Sequence, residues 1–385
     1  MNHKYRINLD WKRLASRIVM PNQRVLVLGP SDAGKSTFCR YLIDYACAAS
    51  LKVALVDADV GQSQIGPPTT IGMKLFDPGP DGAAPHLPFG GHENGTATNQ
   101  KNSDTKTEQI EDRKKNRSSE LYHKADALYF VGAVSPQRNL LPILTGTRLM
   151  VDAGLNAGAD FTVIDTTGYV HDGAAITLKQ QKIDLIRPHH LVCIGRSRDL
   201  ERIVACYSDL NHPTIHYLLP HKLVRTKSSE ARKRNRKAKF EAYFSESELQ
   251  TISYEQIRGA RTSFFNGRIA NQKEIEILTR LTEEEIIYAE WRQRTLSLIA
   301  RRNLPQSATK NLKNYLSLSF TAVETPAYFK QRLVGMVNEE GETLAIGIIE
   351  KMDFQNQNLN IRCEPGIAAK IKVLQFGDYK FTGKQ

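Results

Sequence analysis

Short apolar runs alternate with longer stretches of helical character through the first 220 residues of the chain. Each run is rich in Val, Ile and Leu, as buried parallel strands are. The runs occupy residues 24–28, 52–57, 127–131, 161–165, 189–194 and 214–219. Strands that alternate with helices imply a parallel sheet with helices on both faces, so the pattern predicts an α/β fold.

The pattern changes after residue 265, where strand-like runs separated by turns replace the alternation of strands and helices. These runs lie at 333–337, 343–349 and 371–376 and predict a smaller β-rich domain. The Glu-rich residues 281–291 predict a helix before them. We therefore expect a short N-terminal segment over 1–22, an α/β domain over 23–265 and a β-rich C-terminal domain over 266–385.

Residues 77–120 interrupt the α/β pattern. Gly, Pro, Asn, Ser, Thr and charged residues dominate this stretch, and apolar side chains nearly vanish. Such a composition cannot bury enough apolar surface to offset the entropy of ordering the chain. We predict a disordered insert here and assign no function to it.

The first apolar run leads into the phosphate-loop pattern G-x-x-x-x-G-K-[ST], which begins at Gly29 and ends at Ser36. Glycines let backbone N–H groups turn toward a polyphosphate, Lys35 brings a cation to the outer phosphates, and the Ser36 hydroxyl suits Mg²⁺. A strand before the loop and a helix after it are the context that the motif requires. The fold class is therefore that of a P-loop NTPase. The predicted nucleotide-binding residues are Gly29, Ser31, Asp32, Ala33, Gly34, Lys35, Ser36 and Thr37.

Two acidic residues, Asp57 and Asp59, follow the second apolar run. Ligands of open α/β sheets collect beyond the carboxyl ends of the strands, so both side chains should project toward the phosphate loop. A carboxylate there commonly completes a magnesium shell or accepts a proton from an attacking hydroxyl. An acidic residue that ends a strand also forms turns, and this interpretation stays open, more so for Asp57 than for Asp59.

The formal net charge of the chain is +12 and its isoelectric point is near 9.4. Basic side chains concentrate in residues 222–245, where a helix is predicted. A solvated basic face is one interpretation of this stretch. The other is a basic lid that closes over the phosphates of a nucleotide and a nucleic acid. A membrane surface is a weaker alternative as the polyanionic partner.

The five cysteines are scattered without any metal-ligand spacing, which favours a reducing compartment. No apolar run reaches membrane-spanning length, and the first residues lack the apolar centre of a signal peptide. We therefore expect a cytoplasmic protein with no membrane partner. The oligomeric state is left open by the sequence.

The ordered set of motifs resembles that of the polynucleotide 5′-hydroxyl kinase family. This family includes the eukaryotic RNA kinases of pre-mRNA cleavage, tRNA splicing and ribosomal RNA processing, with archaeal and bacterial relatives. The matching segments are the phosphate loop, residues 57–62, a clasp loop at 132–139, residues 165–170, and the basic lid from residue 227. The resemblance implies a kinase of archaeal or bacterial type that uses ATP and Mg²⁺ and acts on the 5′-hydroxyl end of RNA or DNA.

The resemblance also implies roles for individual residues. Lys35, Asp59 and Arg232 would be catalytic, with Asp59 deprotonating the 5′-hydroxyl and Arg232 stabilising charge on the transferring phosphoryl group. Ser36 and Asp59 would ligate the metal. The residues that would hold the acceptor are Gln62, Ser135, Asn139, Thr167, Tyr169, Lys227 and Arg236.

Three positions depart from the family pattern. Tyr169 replaces a Trp, so the platform on which a base stacks is smaller. Lys227 stands where an Arg is expected, and an ammonium group lacks the fork that makes bidentate phosphate contacts. Val134 replaces a Thr and removes one potential donor to phosphate.

Our hypothesis for the function is transfer of the ATP γ-phosphate to the 5′-hydroxyl of RNA or DNA. A second hypothesis is an RNA-processing scaffold that binds ATP but transfers nothing. A third is a P-loop GTPase or a small-metabolite kinase. It is disfavoured because the sequence has no guanine-recognition motif and because the basic lid exceeds what a small substrate requires.

Overall fold

The computed structural model of the protein describes residues 8–79, 124–221, 224 and 226–382. Most of the predicted insert at 77–120, and residues 222, 223 and 225 of the predicted lid, therefore lie outside the described residues. The chain divides into two compact units, Met1–Tyr243 and Phe244–Gln385. Each unit has its own sheets and its own hydrophobic clusters.

Seven strands form the sheet of the first unit. They are β1 (Gln23–Leu28), β2 (Val53–Ala58), β3 (Thr70–Phe76), β4 (Ala127–Phe130), β5 (Phe161–Thr166), β6 (His190–Ile194) and β7 (Thr214–Leu218). Their order across the sheet is β4–β3–β2–β5–β1–β6–β7. Strands β2, β5, β1, β6 and β7 run parallel to one another. At one edge of the sheet, β3 pairs antiparallel with β2, and β4 pairs antiparallel with β3. The predicted α/β fold is confirmed. Only β3 is missing from the sequence-based prediction, because Gly72 and Lys74 interrupt its apolar pattern.

Helices cover both faces of this sheet because successive strand residues point to opposite sides. On one face, α1 (Leu9–Ile18) and α2 (Lys35–Ala48) bury Trp11 and Phe38 in the cluster that contains Val25 of β1. On the other face, α3 (Leu140–Asn156), α4 (Gly173–Ile186) and α5 (Ser197–Val204) pack in the cluster that contains Leu26. A further helix, α6 (Ser229–Tyr243), follows β7. Within the described ranges no helix is both long and apolar enough to cross a membrane.

The second unit is β-rich, as predicted. Its elements are β8 (Glu248–Ser253), β9 (Arg258–Ala260), β10 (Arg268–Ile269), α7 (Gln272–Thr282), β11 (Ile286–Arg292), β12 (Thr295–Ala300), α8 (Gln306–Tyr315), β13 (Phe320–Glu324), α9 (Pro326–Phe329), β14 (Arg332–Val337), β15 (Thr343–Asp353), β16 (Asn358–Cys363) and β17 (Val373–Lys380). They form a four-stranded sheet, β10–β11–β12–β13, and a six-stranded sheet, β8–β16–β15–β14–β17–β9.

The domain boundary differs from the one expected at residue 265. β8 pairs antiparallel with β16, and β9 pairs parallel with β17. Residues 244–265 therefore supply two strands to the C-terminal sheet, and the division between the units falls after Tyr243. The strands that decide this assignment are separated by about a hundred residues, so no local pattern reveals the pairing.

The predicted helix over 281–291 is wrong. Helix α7 ends at Thr282, and Glu283 adopts a left-handed conformation with φ of 56°. Strand β11 begins at Ile286 and continues through Tyr288, both of them residue types that favour strands. The Glu residues of this stretch favour a helix in isolation, and pairing with β12 overrides that preference.

Two histidines of the sheet give the first unit a predicted pH dependence. His216 Nε2 and His190 Nδ1 lie 3.2 Å apart on neighbouring strands. Burial, reinforced by His216, lowers the pKa of His190 to about 4. The unfolded chain binds a proton near pH 6.5, whereas the folded chain does not. The free energy of unfolding should therefore fall from pH 7 to pH 5 through this group, by an amount that the solvent exposure of the ring reduces.

Chemical denaturation at the two pH values measures this difference. His190→Gln should lose this part of the pH dependence, and His171→Gln, which changes an exposed histidine, should retain it. The same pH dependence in both variants would rule out His190 as its source.

Candidate active site

The phosphate loop joins the end of β1 to α2, which begins at Lys35. Gly34 has a φ of 95°, a left-handed conformation that glycine adopts without strain. The Lys35 side chain is only 6% exposed, and its Nζ donates to the Pro30 carbonyl at 2.8 Å. The loop therefore encloses the ammonium group, and the N-terminus of α2 points into the same space.

Ser36 is bonded to a carboxylate from another strand. Its hydroxyl donates to Asp165 Oδ2 at 2.5 Å. Asp165 lies near the end of β5, the strand beside β1. Hydroxyl and carboxylate oxygens are ligands that Mg²⁺ accepts, so this pair fits a magnesium site. The sequence interpretation assigns no role to Asp165, although an acidic residue that closes an apolar run was the available signal.

Asp57 organises the turn that follows β2. Its carboxylate accepts hydrogen bonds from the N–H groups of Asp59, Gln64 and Ile65 at 3.1, 2.5 and 3.2 Å. It stands opposite Asp165 in register on the neighbouring strand, and both side chains are buried. Burial, and next the charge of Asp165, raise the pKa of Asp57 to about 6. These bonds fit the turn-forming interpretation of Asp57.

Asp59 projects from this turn. Its Oδ1 accepts hydrogen bonds from the N–H groups of Gly61 and Gln62 at 3.1 and 3.0 Å. These bonds close an Asx-type turn and fix the side chain, which is half-buried. Within the part of the chain that the structure describes, Oδ2 accepts no hydrogen bond. Oδ2 is therefore the atom that an incoming hydroxyl could approach.

The clasp loop lies against the turn of Asp59. A Cβ atom placed on Gly61 would come within 2.7 Å of the Val134 carbonyl oxygen, so the two loops touch. Ser135 is exposed next to this contact, and Asn139 occupies the N-cap position of α3. The fold thus brings the predicted acceptor residues of the clasp loop to the same edge of the sheet as Asp59.

The loop after β5 holds Thr167 and Tyr169. Thr167 Oγ1 accepts a hydrogen bond from the Tyr169 N–H at 3.0 Å. The Tyr169 hydroxyl donates to the carboxylate of Asp172, with distances of 2.6 and 2.7 Å to the two oxygens. Asp172 also caps α4 by accepting from the Ala175 N–H at 2.8 Å. The half-exposed Tyr169 ring is therefore fixed by the start of α4.

The predicted basic lid consists of α6 and the residues just before it. Arg232 Nη2 donates to Asp32 Oδ2 of the phosphate loop at 2.6 Å, and the Lys227 N–H reaches the same oxygen at 3.0 Å. Near the other end of α6, Lys239 Nζ donates to the Ser63 carbonyl. Both ends of the lid are thus bonded to loops of the site. The sequence interpretation assigns no separate role to Lys239, since nothing distinguishes it from the other basic residues of the lid.

Replacing Asp32 with Ala should release the lid from the phosphate loop, because both bonds share one acceptor. Trypsin should then cleave within α6 several-fold faster, since local opening exposes its Lys and Arg residues. Mass mapping of the fragments over time measures the rate. Glu241→Ala, which removes only the exposed pair with Lys237, should leave the rate unchanged. Equal rates for Asp32→Ala and the wild type would show that these bonds do not hold the lid.

Residues 29–246 match the family model described as mRNA cleavage and polyadenylation factor CLP1 P-loop. This span exceeds half of the chain. The chain belongs to this family. The matched region of this CLP1 P-loop family member runs from the phosphate loop through α6, so it includes the loops of Asp59, the clasp and Tyr169 as well as the lid.

Archaeal polyribonucleotide 5′-hydroxyl-kinases are similar to this CLP1-family chain over most of its length. The kinase of Methanocaldococcus jannaschii is 27% identical over 341 residues, which cover 88% of this chain and 81% of its own. That of Pyrococcus furiosus is 27% identical over 357 residues, 92% of this chain and 86% of its own. A solved Clp1p–Pcf11p complex has the same fold, with a TM-score of 0.58 at 12% identity, and the match covers 97% of this chain and 80% of that one. The predicted family resemblance is confirmed.

Within the CLP1-family domain the sequence-predicted residues form two groups, one at the phosphate loop and one in the acceptor loops. In the first group, Lys35 and Ser36 belong to the phosphate loop itself. Arg232 is bonded to Asp32 of this loop through its side chain, and Lys227 through its backbone. Arg236 lies one turn beyond Arg232 on α6, and within the described ranges no hydrogen bond ties it to the phosphate loop. The roles of the individual residues therefore remain predictions, and the acceptor residues belong to loops at the same edge of the sheet.

Proposed function

We propose that this chain is a polynucleotide 5′-hydroxyl kinase that transfers the γ-phosphate of ATP to the 5′-hydroxyl of an RNA or DNA end. The observation that carries the proposal is the contact between the turn of Asp59 and the clasp loop. This contact puts a candidate proton acceptor beside candidate acceptor-binding residues, at the carboxyl edge where parallel α/β sheets bind ligands. The archaeal relatives named polyribonucleotide 5′-hydroxyl-kinases support RNA as the substrate.

The donor half of the site is the phosphate loop. Its N–H groups and the Lys35 ammonium hold the triphosphate, with contacts from Gly29, Ser31, Asp32, Ala33, Gly34 and Thr37. Ser36 and Asp165, together with Asp59, are the residues that would hold Mg²⁺. The described residues contain no cluster of three His, Cys, Asp or Glu side chains suited to a metal, and a P-loop needs none because phosphates and water complete the Mg²⁺ shell. When bound, Mg²⁺ supplies charge neutralisation on the phosphates.

The acceptor half is formed by the loops after β2 and β5 and by the clasp. Asp59 Oδ2 accepts the proton of the 5′-hydroxyl while that oxygen forms its bond to the γ-phosphorus. The bond between the γ-phosphorus and the β–γ bridging oxygen breaks, and ADP leaves. Tyr169 stacks on the terminal base, and the phosphate of the acceptor strand is held by Ser135 and Asn139. Gln62 and Thr167 also contribute to the binding of the acceptor strand.

The lid completes the site with positive charge. Arg232 stabilises the charge that develops on the transferring phosphoryl group, which requires it to exchange Asp32 for a phosphoryl oxygen. Lys227 and Arg236 add charge on either side of it. The bond between Arg232 and the phosphate loop supports this role because it places the guanidinium beside the donor.

A transfer assay tests the function. Purified protein with ATP labelled in the γ-phosphate and Mg²⁺ should label 5′-hydroxyl oligonucleotides of RNA or DNA, tested as matched single strands and duplex ends. The same oligonucleotides with a 5′-phosphate should stay unlabelled, because the attacking oxygen is blocked. Replacing ATP with each other nucleoside triphosphate measures the donor preference. Nucleotide binding without any label transfer would overturn the proposal and favour the scaffold.

We also propose that the protein is cytoplasmic. All five cysteines are free thiols, and four of them are buried. Disulfides are rare in reducing compartments, so the state of the cysteines supports this location.

A further inference from the structure

Two lysines of α4 are completely buried. Lys179 and Lys182 have no exposed surface, although both side chains carry an ammonium group when protonated. Burying a charge is costly unless hydrogen bonds or opposite charges compensate it. Burial lowers the pKa of both lysines, that of Lys182 to about 8, and the nearby carboxylates of Asp59 and Asp165 act in the opposite direction.

The two lysines differ in their contacts. Lys179 Nζ donates to the carbonyl oxygen of Thr167 at 2.7 Å. Lys182 Nζ has no hydrogen-bond partner within the described ranges. The two residues lie one helical turn apart, and both are completely buried near the carboxylates of Asp59 and Asp165. Their hydrogen bonding differs, because Lys179 is bonded to the loop that follows β5 and Lys182 is not.

This loop connects the two halves of the proposed site. A Cβ atom on Gly168 would lie 2.3–2.5 Å from atoms of Ser31, so only glycine lets this loop rest directly on the phosphate loop. The residues on either side of Gly168 are both held from α4. Thr167 is held through its carbonyl by Lys179, and Tyr169 through its hydroxyl by Asp172.

We propose that Lys179 is a positioning residue that sets the place of Tyr169 against the phosphate loop, and thereby the place of the acceptor base relative to ATP. The proposal rests on the proposed kinase function and on the stacking role of Tyr169. Without the Lys179 bond, the Thr167 carbonyl is buried without its donor, and of the two bonds described above only that of Tyr169 to Asp172 still holds the loop. Acceptor binding then weakens while the phosphate loop, to which Lys179 donates no hydrogen bond within the described ranges, still binds ATP.

Lys179→Met tests the proposal, with Lys182→Met as the matched control. Met keeps the apolar stem and removes the ammonium in both variants. Steady-state kinetics on the full chain, with a 5′-hydroxyl oligonucleotide and ATP varied in turn, give the two KM values. Lys179→Met should raise the KM for the oligonucleotide about tenfold, as expected for one lost buried hydrogen bond. Its KM for ATP should stay within about threefold of the wild-type value, and Lys182→Met should leave the oligonucleotide KM near the wild-type value.

A second acceptor separates positioning of the base from general damage. An oligonucleotide whose 5′-terminal nucleotide lacks its base cannot stack on Tyr169. With this acceptor the wild type and Lys179→Met should have similar KM values, because the lost interaction is already absent. If Lys179→Met does not fold, as thermal unfolding would show, Lys179→Gln places a neutral amide there and carries the same comparison.

The outcomes distinguish the inference from the function on which it rests. Absence of transfer by the wild type overturns the kinase function. Transfer by the wild type with equal oligonucleotide KM values for the two Met variants overturns the role of Lys179. So does a tenfold effect that persists with the abasic acceptor.

Discussion

Asp59→Asn is expected to slow label transfer to a 5′-hydroxyl oligonucleotide by about 10²- to 10⁴-fold, the range that general-base catalysis supplies. The Asn side-chain oxygen can still accept the N–H groups of Gly61 and Gln62, so the turn keeps its shape. What is lost is the carboxylate oxygen Oδ2, which the proposal uses as the proton acceptor. Initial rates at saturating ATP and oligonucleotide measure the change in kcat.

Asp160→Asn is the matched control for this variant. Asp160 also accepts a hydrogen bond from a backbone N–H, that of Lys52. It precedes β5, however, and so lies at the opposite end of this strand from Asp165. The control should transfer phosphate at the wild-type rate. Transfer by Asp59→Asn at a rate close to that of the control would remove Asp59 from the chemistry.

Lys35→Met is expected to reduce transfer by about 10²- to 10³-fold, the scale of losing one preorganised charge at a reacting phosphate. Nucleotide affinity should fall as well, because the ammonium contacts the triphosphate before and during transfer. The side chain is enclosed by its own loop, and Met retains the apolar stem without leaving a buried charge unpaired. The fold should therefore survive. Isothermal titration with a non-hydrolysable ATP analogue and the transfer assay measure the two effects.

Lys52→Met provides the comparison for Lys35→Met. Lys52 immediately precedes β2, and its Nζ lies 3.7 Å from Oδ1 of the exposed Asp77. Exposed pairs contribute little, so nucleotide binding and transfer should be unaffected by its loss. Unchanged binding and transfer in Lys35→Met would mean that the phosphate loop is not the donor site.

The parts of the site that the sequence predicts are those encoded by adjacent residues. The phosphate loop, the turn after Asp57 and the basic stretch before Phe244 are all continuous patterns with a known chemical reason. Asp165 is different, because its significance depends on Ser36, which is 129 positions earlier. Only the strand order, which places β5 beside β1, brings the two together.

Lys179 and Lys182 show a second limit of sequence reasoning. A helical pattern of apolar and polar residues places Lys on the solvent face, because lysine is rarely buried. In α4 both lysines are buried instead, near the carboxyl ends of β2 and β5, where Asp57, Asp59 and Asp165 lie. That environment is made by residues from β2 and β5, so the pattern of α4 alone could not indicate it.

The C-terminal unit shows the same limit for the fold. Its β-rich character is evident from local runs such as 333–337 and 343–349. The assignment of residues 244–265 depends on pairing with β16 and β17, which come about a hundred positions later. Local propensity also favoured a helix where β11 forms, and pairing with β12 decided the outcome.

The antiparallel edge of the first sheet has a practical consequence for protein engineering. β3 and β4 are neighbours, and Met73 pairs with Ala127. β3 is antiparallel to β2, with Phe76 beside Val53 and Gly72 beside Asp57. The chain therefore leaves β3 and enters β4 beside the amino end of β2, whereas the phosphate loop lies at the carboxyl ends of the parallel strands. This connection is a suitable place to shorten the chain or to insert a fluorescent reporter. Because the entropy of closing a loop grows only with the logarithm of its length, shortening the connection about tenfold changes its closure cost by only about 2 kcal/mol.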